Sequence, residues 1–127
     1  MQDFIKAIKA LSDETRLRIL NVLLERECCV CEIMQALDIS QSRASRNLRI
    51  LQDAGFLKAQ RHGAWIIYSM DWDAANRYAT YLAKSLRDNP IDNELLAQDR
   101  ERLKHAKRVG PGCFSITFVP QENTQGI

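Results

Sequence analysis

The stretch ECCVCEIMQALDISQSRASRNLRILQDAG, residues 27–55, decides the fold. Within it Val30, Ile33, Met34 and Leu37 fall at i, i+3, i+4 and i+7, the spacing of one buried helical face, which predicts a short helix over about 30–37. Asp38-Ile39-Ser40 ends that helix, and Ser40 is placed to cap the next. The inward row of the second helix is Ala44, Leu48, Leu51 and Ala54, and Gly55 stands where helices commonly stop in the left-handed conformation. Two helices joined by about three residues form the helix-turn-helix pattern. With its apolar row turned inward, the second helix distributes Gln41, Ser42, Arg43, Ser45, Arg46, Asn47 and Arg49 over its remaining surface, biased to the first turns. Those are the turns that enter a major groove. Gln and Asn pair with adenine edges and Arg with guanine, while Ser and the helix N-terminus suit phosphate.

Upstream, Phe4, Ile5, Ile8 and Leu11 recur at helical spacing and predict a first helix packing an apolar stripe. Ser12-Asp13-Glu14 offers an N-cap and a first-turn acid for a second helix over about 14–24, with Leu17, Leu20, Leu23 and Leu24 facing the core. Downstream, the runs 56–61 and 65–70 flank His62-Gly63-Ala64 and read as a β-hairpin with a basic tip. A hairpin placed after a DNA-binding helix is a wing, whose Arg61 can reach an adjacent groove or phosphate and whose His62, at the tip, is phosphate-facing or simply solvated and not a metal ligand. Trp72, Ala75, Tyr78, Ala79, Leu82, Ala83 and Leu86 give a fifth helix an apolar face too broad for a solvated helix, suited to core or to a subunit interface. After Pro90, residues 93–107 read as a charged sixth helix with little core content, and 108–127 as a flexible C-terminal tail beyond a single domain at 1–107. Within the tail, the run 113–119 is suited to a strand or to docking on a partner chain. The fold class is mainly α with a small β-hairpin.

A chain of 127 residues that is 46% hydrophobic and 27% charged suffices for one core. No apolar run approaches the roughly 20 residues of a membrane span, and charge interrupts the N-terminus too early for a signal peptide, so the expected location is cytoplasmic, with no membrane partner. The net charge of +2 is uneven: residues 41–62 carry +4 and the remainder −2, so positive charge is concentrated where a polyanion can use it.

Three of the four cysteines, Cys28, Cys29 and Cys31, lie within four positions, and in a reducing compartment they are thiols and not a disulfide framework. Thiolates select soft, thiophilic ions. On a helix, residues two apart lie roughly 200° around the axis, so Cys29 and Cys31 share an ion only if the first turn leaves helical form. In extended chain they share a side. Cys28 and Cys31, three apart, meet on a helix without that distortion. A distortion at Cys29 and Cys31 falls on the helix bracing the reading helix, which predicts that ion and DNA weaken each other's binding by the same factor. The single C-x-x-C lacks the second pair of a zinc finger.

Three stretches, 10–20, 39–57 and 27–33, together resemble the ArsR/SmtB family of winged-helix repressors, a likeness that extends over roughly residues 4–86. The resemblance implies a winged helix-turn-helix, α-α-α-α-β-β-α with the sixth helix added, dimeric through its terminal helices with the fifth at the interface. It also implies a homodimer on a palindromic double-stranded operator, released by its inducer. The third stretch is similar to the cysteine box of the arsenite-responsive members, with Cys29 and Cys31 at its first two cysteines and Met34 where a third would stand. A third ligand then comes from Cys28, from Cys113, or from nowhere, and a two-thiolate site suits a monosubstituted organoarsenical. The inducer expected is trivalent arsenic, arsenite or organoarsenical, with cadmium or lead as alternatives and no catalytic cofactor. The fifth helix has no histidine for the zinc or nickel site of other members.

Two rivals follow from the residues. Thiol oxidation is another input to the same repressor. A thiol enzyme or a metalloid carrier without DNA activity has little support, since no histidine partner lies near the cysteines in sequence; the reading is not an enzyme.

Overall fold

The computed structural model describes residues 1–109. Cys113 and the proposed tail strand lie outside them, as does most of the tail. The described chain runs α1 (Gln2–Leu11), α2 (Glu14–Leu23), β1 (Cys28–Cys29), α3 (Val30–Leu37), α4 (Gln41–Asp53), β2 (Leu57–His62), β3 (Trp65–Met70), α5 (Arg77–Asp88) and α6 (Glu94–Leu103). This is a winged helix-turn-helix with the sixth helix present.

Local chemistry sets the boundaries. Asp13 caps α2 by accepting from the Arg16 N–H at 3.0 Å, and Ser40 caps α4 by accepting from the Arg43 N–H at 3.2 Å. Asp38 closes α3 in the left-handed conformation, φ 57°. Gly55, at φ 97°, turns the chain out of α4 where a Cβ would come within 2.9 Å of the Asn76 side chain, so the close approach of α5 demands glycine. The fifth helix begins at Arg77 and not at Trp72: Asp71 folds its carboxylate back onto the Asp73 N–H, and the Asn76 side chain accepts from the Tyr78 N–H to start the helix there.

The wing is the β2–β3 hairpin, in register from Leu57 opposite Met70 to His62 opposite Trp65. A strand not anticipated from the sequence joins it. Cys28 and Cys29 pair antiparallel with Tyr68 and Ile67, giving the order β1-β3-β2.

The main core gathers Ile19, Leu20, Val22, Ile33, Leu37, Ala44, Leu48, Leu51 and Phe56 between α2, α3, α4 and the hairpin base. Two terminal helices depart from expectation. On α1 the buried residues are Ala7 and Ala10, while Phe4, Ile5 and Ile8 are 46%, 42% and 40% exposed, so most of the predicted stripe lies outside the subunit's own core. On α6, by contrast, Leu96, Asp99 and Leu103 are buried against α2 and α3. Asp99 is fully buried and accepts from Arg18 at 2.7 and 2.9 Å and from Arg102 at 2.7 Å. Its hydrogen bond raises the Arg18 pKa above the ordinary guanidinium value. Charge on α6 is therefore core content. Among the described residues, no helix is long and apolar enough to cross a membrane.

Candidate thiol centre and nucleic-acid interface

Adjacent strand residues face opposite sides of a sheet, and β1 uses this to separate its two cysteines. Cys28 turns into the main core, its Sγ 3.5 Å from the Arg26 carbonyl oxygen. Cys29 turns to the other face, where it clusters with Cys31 and Ile67 under Trp65 and Val109. Cys29 is at once the last residue of β1 and the N-cap of α3, with extended backbone at φ −90°, ψ 173°. Its Sγ lies 2.9 Å from Cys31 Sγ. This corrects the expected distortion: because Cys29 precedes the helix instead of belonging to it, the two sulfurs meet while α3 stays helical. Of the sequence-predicted ligands, Cys29 and Cys31 are brought together. Cys28 lies on the opposite face, and Met34 packs against the main core.

Glu32 organises this turn and was not anticipated. Three residues after Cys29, it completes a capping box by accepting from the Cys29 N–H at 2.8 Å, a spacing that the sequence displays. Its buried carboxylate also pairs with Arg26 at 2.9 Å and with Arg108 at 3.4 Å. Burial, with the Glu32 charge adding to it, pushes the Cys28 and Cys29 thiols up to about 12. For Cys29, N–H groups at the helix start act in the opposite direction, a local environment that suits a thiolate once an ion has displaced the proton. Among the described residues, no group of three His, Cys, Asp or Glu side chains is placed to hold a metal.

The segment after α6 is laid along the same helix. Gln35 donates from Nε2 to the Lys107 carbonyl at 2.6 Å and accepts from the Lys107 N–H at 3.0 Å. Arg26 donates to the Leu103 carbonyl at 3.1 Å, and the Lys107 carbonyl oxygen lies 3.9 Å from Cys31 Sγ.

The surface expected to meet DNA is the outer side of α4 with the wing tip. Ser42, Arg43, Arg46 and Arg49 are exposed, as are Arg61 and His62, while Gln41 and Ser45 are half-buried. Arg43 also donates to Thr15 Oγ1 at 2.6 Å, tying α4 to α2. Asn47 differs from expectation. It is buried, accepting from Arg16 at 3.0 Å and donating to the Arg43 carbonyl at 2.9 Å, and both ends of its amide are engaged inside the protein. Arg16 in turn donates to the Ala10 carbonyl at 2.6 Å, so Asn47 helps lock α1, α2 and α4 together.

The chain matches the bacterial regulatory protein arsR family over residues 13–59. It is 44% identical over 96 residues to the arsenic resistance transcriptional regulator ArsR1 of Pseudomonas putida, a match covering 75% of this chain and 73% of the relative. It is 43% identical over 70 residues to the cadmium resistance regulatory protein CadC homolog of Staphylococcus aureus, covering 54% of this chain and 58% of that relative. The chain thus spans less than two thirds of the cadmium regulator's length. Among solved structures it is similar to the homodimeric winged helix-turn-helix DNA-binding domain Mb0332 of Mycobacterium bovis, described as a possible ArsR-family regulator. That match has a TM-score of 0.58 and 26% identity, and it covers 73% of this chain and 85% of that one. With the identity and coverage of the Pseudomonas relative added to the family match and the winged helix, the chain belongs to the arsR family of bacterial regulatory proteins.

Proposed function

We propose that the protein is a transcriptional repressor that binds a palindromic operator as a homodimer and is released when trivalent arsenic binds Cys29 and Cys31. The observation that carries this reading is the juxtaposition of two sulfurs, 2.9 Å apart, at the start of the helix that packs on α4. Thiolate bonds of about 2.3 Å to a soft ion let a single centre bridge such a pair. Relatives named for arsenic and cadmium resistance support a thiophilic inducer, and the homodimeric neighbour supports the assembly. So does the exposed apolar row of α1, which stands next to the exposed Tyr81 of α5 through the Phe4–Tyr78 and Tyr78–Tyr81 ring contacts.

Two routes lead from the sulfurs to DNA. One passes through α3 to α4. The other passes through β1 to β3 and so to the wing tip at Arg61 and His62. An ion that shifts Cys29 relative to Cys31 acts on both.

The test is fluorescence anisotropy of DNA from upstream of the protein's own gene, using reduced protein with added arsenite, phenylarsine oxide, cadmium or lead. Arsenite is expected to release wild type, while Cys29→Ser and Cys31→Ser still bind DNA and no longer respond. Release by cadmium or lead alone would replace arsenic as the inducer. DNA binding lost in Arg46→Ala and retained in Asp53→Ala would support the assigned reading surface; equal binding by both would remove it.

A further inference from the structure

Resting on the reading of α4 as the DNA-reading helix, we infer that α6 is part of the DNA-reading machinery. Its Arg102 and Asp99 are positioning residues: they fix the exit of α3 and with it the angle at which α4 is presented. The last carbonyls of a helix have no partner within it. At the end of α3 two of them are capped from outside the helix-turn-helix. The Ala36 carbonyl accepts from Arg102 Nε at 2.8 Å, and the Leu37 carbonyl accepts from Arg18 at 3.0 Å. Both guanidiniums converge on Asp99, which accepts from Arg18 at 2.7 and 2.9 Å and from Arg102 at 2.7 Å. Asp99 is fully buried and stands three residues before Arg102, so α6 carries both the carboxylate and one of the two caps. Two guanidiniums against one carboxylate leave one positive charge, and it lies at the negative end of the α3 dipole, where it is stabilised.

This cluster bears directly on the turn. Leu37 is the last residue of α3, and only Asp38, Ile39 and Ser40 separate it from the first residue of α4. Asp38 is left-handed at φ 57°, the Ile39 N–H donates back to the Met34 carbonyl at 3.2 Å, and the Ser40 side chain accepts from the Arg43 N–H. Each turn residue is held in one geometry, so a rotation at the Leu37 carbonyl is carried into α4 and not absorbed. Further back along α3, the chain that follows α6 holds Gln35 through the paired Lys107 hydrogen bonds and Glu32 through Arg108. α6 with residues 104–108 therefore splints α3 along its length. The family match ends at residue 59, so this splint comes from a part of the chain outside it.

The experiment is fluorescence anisotropy of the reduced protein with two duplexes, DNA from upstream of the protein's own gene and a scrambled sequence of the same length. Each variant is measured where it is dimeric and native by circular dichroism. Arg102→Met removes both hydrogen bonds and keeps the aliphatic stem. It is expected to weaken binding to the upstream DNA by about 10-fold, the low end of what losing a hydrogen bond to a charged group costs. Binding to the scrambled duplex and its salt dependence should stay as in wild type, since those rest on phosphate contacts. Arg102→Lys keeps the charge but not the fork that reaches Asp99 and Ala36 together, and should fall between the two. It decides the matter if Arg102→Met does not fold. Arg100→Met is the control on the same helix, since the Arg100 bond goes to Asn21 on α2, and it should bind both duplexes as wild type does.

A lower urea midpoint for Arg102→Met with unchanged affinity for the upstream DNA would make the cluster purely structural and overturn the inference. A loss shared by both duplexes would overturn it too, and a salt slope shallower by about one would then identify Arg102 as a phosphate contact. An equal loss in Arg100→Met would likewise sink it, by assigning the effect to the stability of α6 at large. Wild type with no preference for the upstream duplex removes the DNA-reading assignment of α4 and this inference with it.

Discussion

The helices at the two ends of the described chain invert the usual relation between composition and burial. α1 presents Phe4, Ile5 and Ile8 and leaves them 40–46% exposed, whereas α6, rich in charge, buries Asp99 completely. The difference lies in what each helix has opposite it. α6 lies along α2 and α3: Arg18 donates to the Asp99 carboxylate as well as to the Leu37 carbonyl, and Arg102 donates to the Ala36 carbonyl. A buried charge is tolerable when its partners are buried with it. α1 meets its own subunit through Ala7 and Ala10, and its larger side chains face outward, where a second copy of the chain is the proposed cover.

The sharpest way to break that contrast is Asp99→Ala. It strands Arg18, whose side chain is only 12% exposed, without a counter-charge, and the expected loss is roughly 3–5 kcal/mol, read as a lower urea midpoint. A loss below about 1 kcal/mol would mean that α6 is held by Leu96 and Leu103 and that the ion pairs are incidental. On α1 the opposite is expected. Ile8→Glu should leave the fold of the single subunit intact by circular dichroism and weaken self-association by roughly 10- to 100-fold, the equivalent of un-burying one large aliphatic side chain. Analytical ultracentrifugation over a concentration series reads this directly. An unchanged dimer would place the interface elsewhere.

How much of this was legible follows from what each element needed. The α3 and α4 boundaries depend on local signals, a buried row at helical spacing and a serine cap, and these are visible in the sequence. The strand β1 was not visible because two residues carry no periodicity; it exists only through the pairing of Cys28 with Tyr68 and of Cys29 with Ile67, distant in sequence. The separation of Cys28 from Cys29 depends on that strand, so the geometry of the thiol pair was hidden with it. Glu32 and Asn47 are different. Glu32 stands at capping-box spacing from Cys29, and Asn47 sits with Ala44, Leu48 and Leu51 at i+3, i, i+4 and i+7 of one stripe. Both placements were readable, but the polar character of Asn47 suggested a base contact and outweighed its position. The role of α6 needed the tertiary partner of Asp99, which no local pattern names.

Asn47 and Arg46 repeat the contrast between the terminal helices on adjacent residues of one helix. Asn47→Ala removes the acceptor from the part-buried Arg16 guanidinium and the donor to the Arg43 carbonyl, so a stability loss of about 1–3 kcal/mol is expected. Arg46→Ala, at an exposed site, should leave the urea midpoint within about 0.5 kcal/mol of wild type. Its effect is expected in DNA affinity, with a shallower salt dependence by about one unit of slope if the side chain meets a phosphate. If Asn47→Ala instead left stability unchanged and relaxed operator specificity, the amide would be reading bases after all.

The smallest effect sharpens the same principle at the thiols, where burial outweighs the nearby arginines and penalises charge. Cys29 ionises near 9 in an unfolded chain and only at about 12 in the folded one. Below pH 9 both states hold the proton and the shift contributes nothing. As pH rises from 9 towards 12 the unfolded state gives up its proton while the native state keeps it, so the unfolded state is increasingly favoured and stability falls. Urea midpoints of the reduced protein measured between pH 7 and 11 should therefore be flat at first and then decline. Cys29→Ser, which does not titrate in this range, should decline less steeply, and Cys28→Ser likewise, because both thiols are pushed up by burial. A wild-type profile that stayed level to pH 11 would mean that the native thiols ionise as readily as exposed ones. The N–H groups at the start of α3 would then outweigh burial.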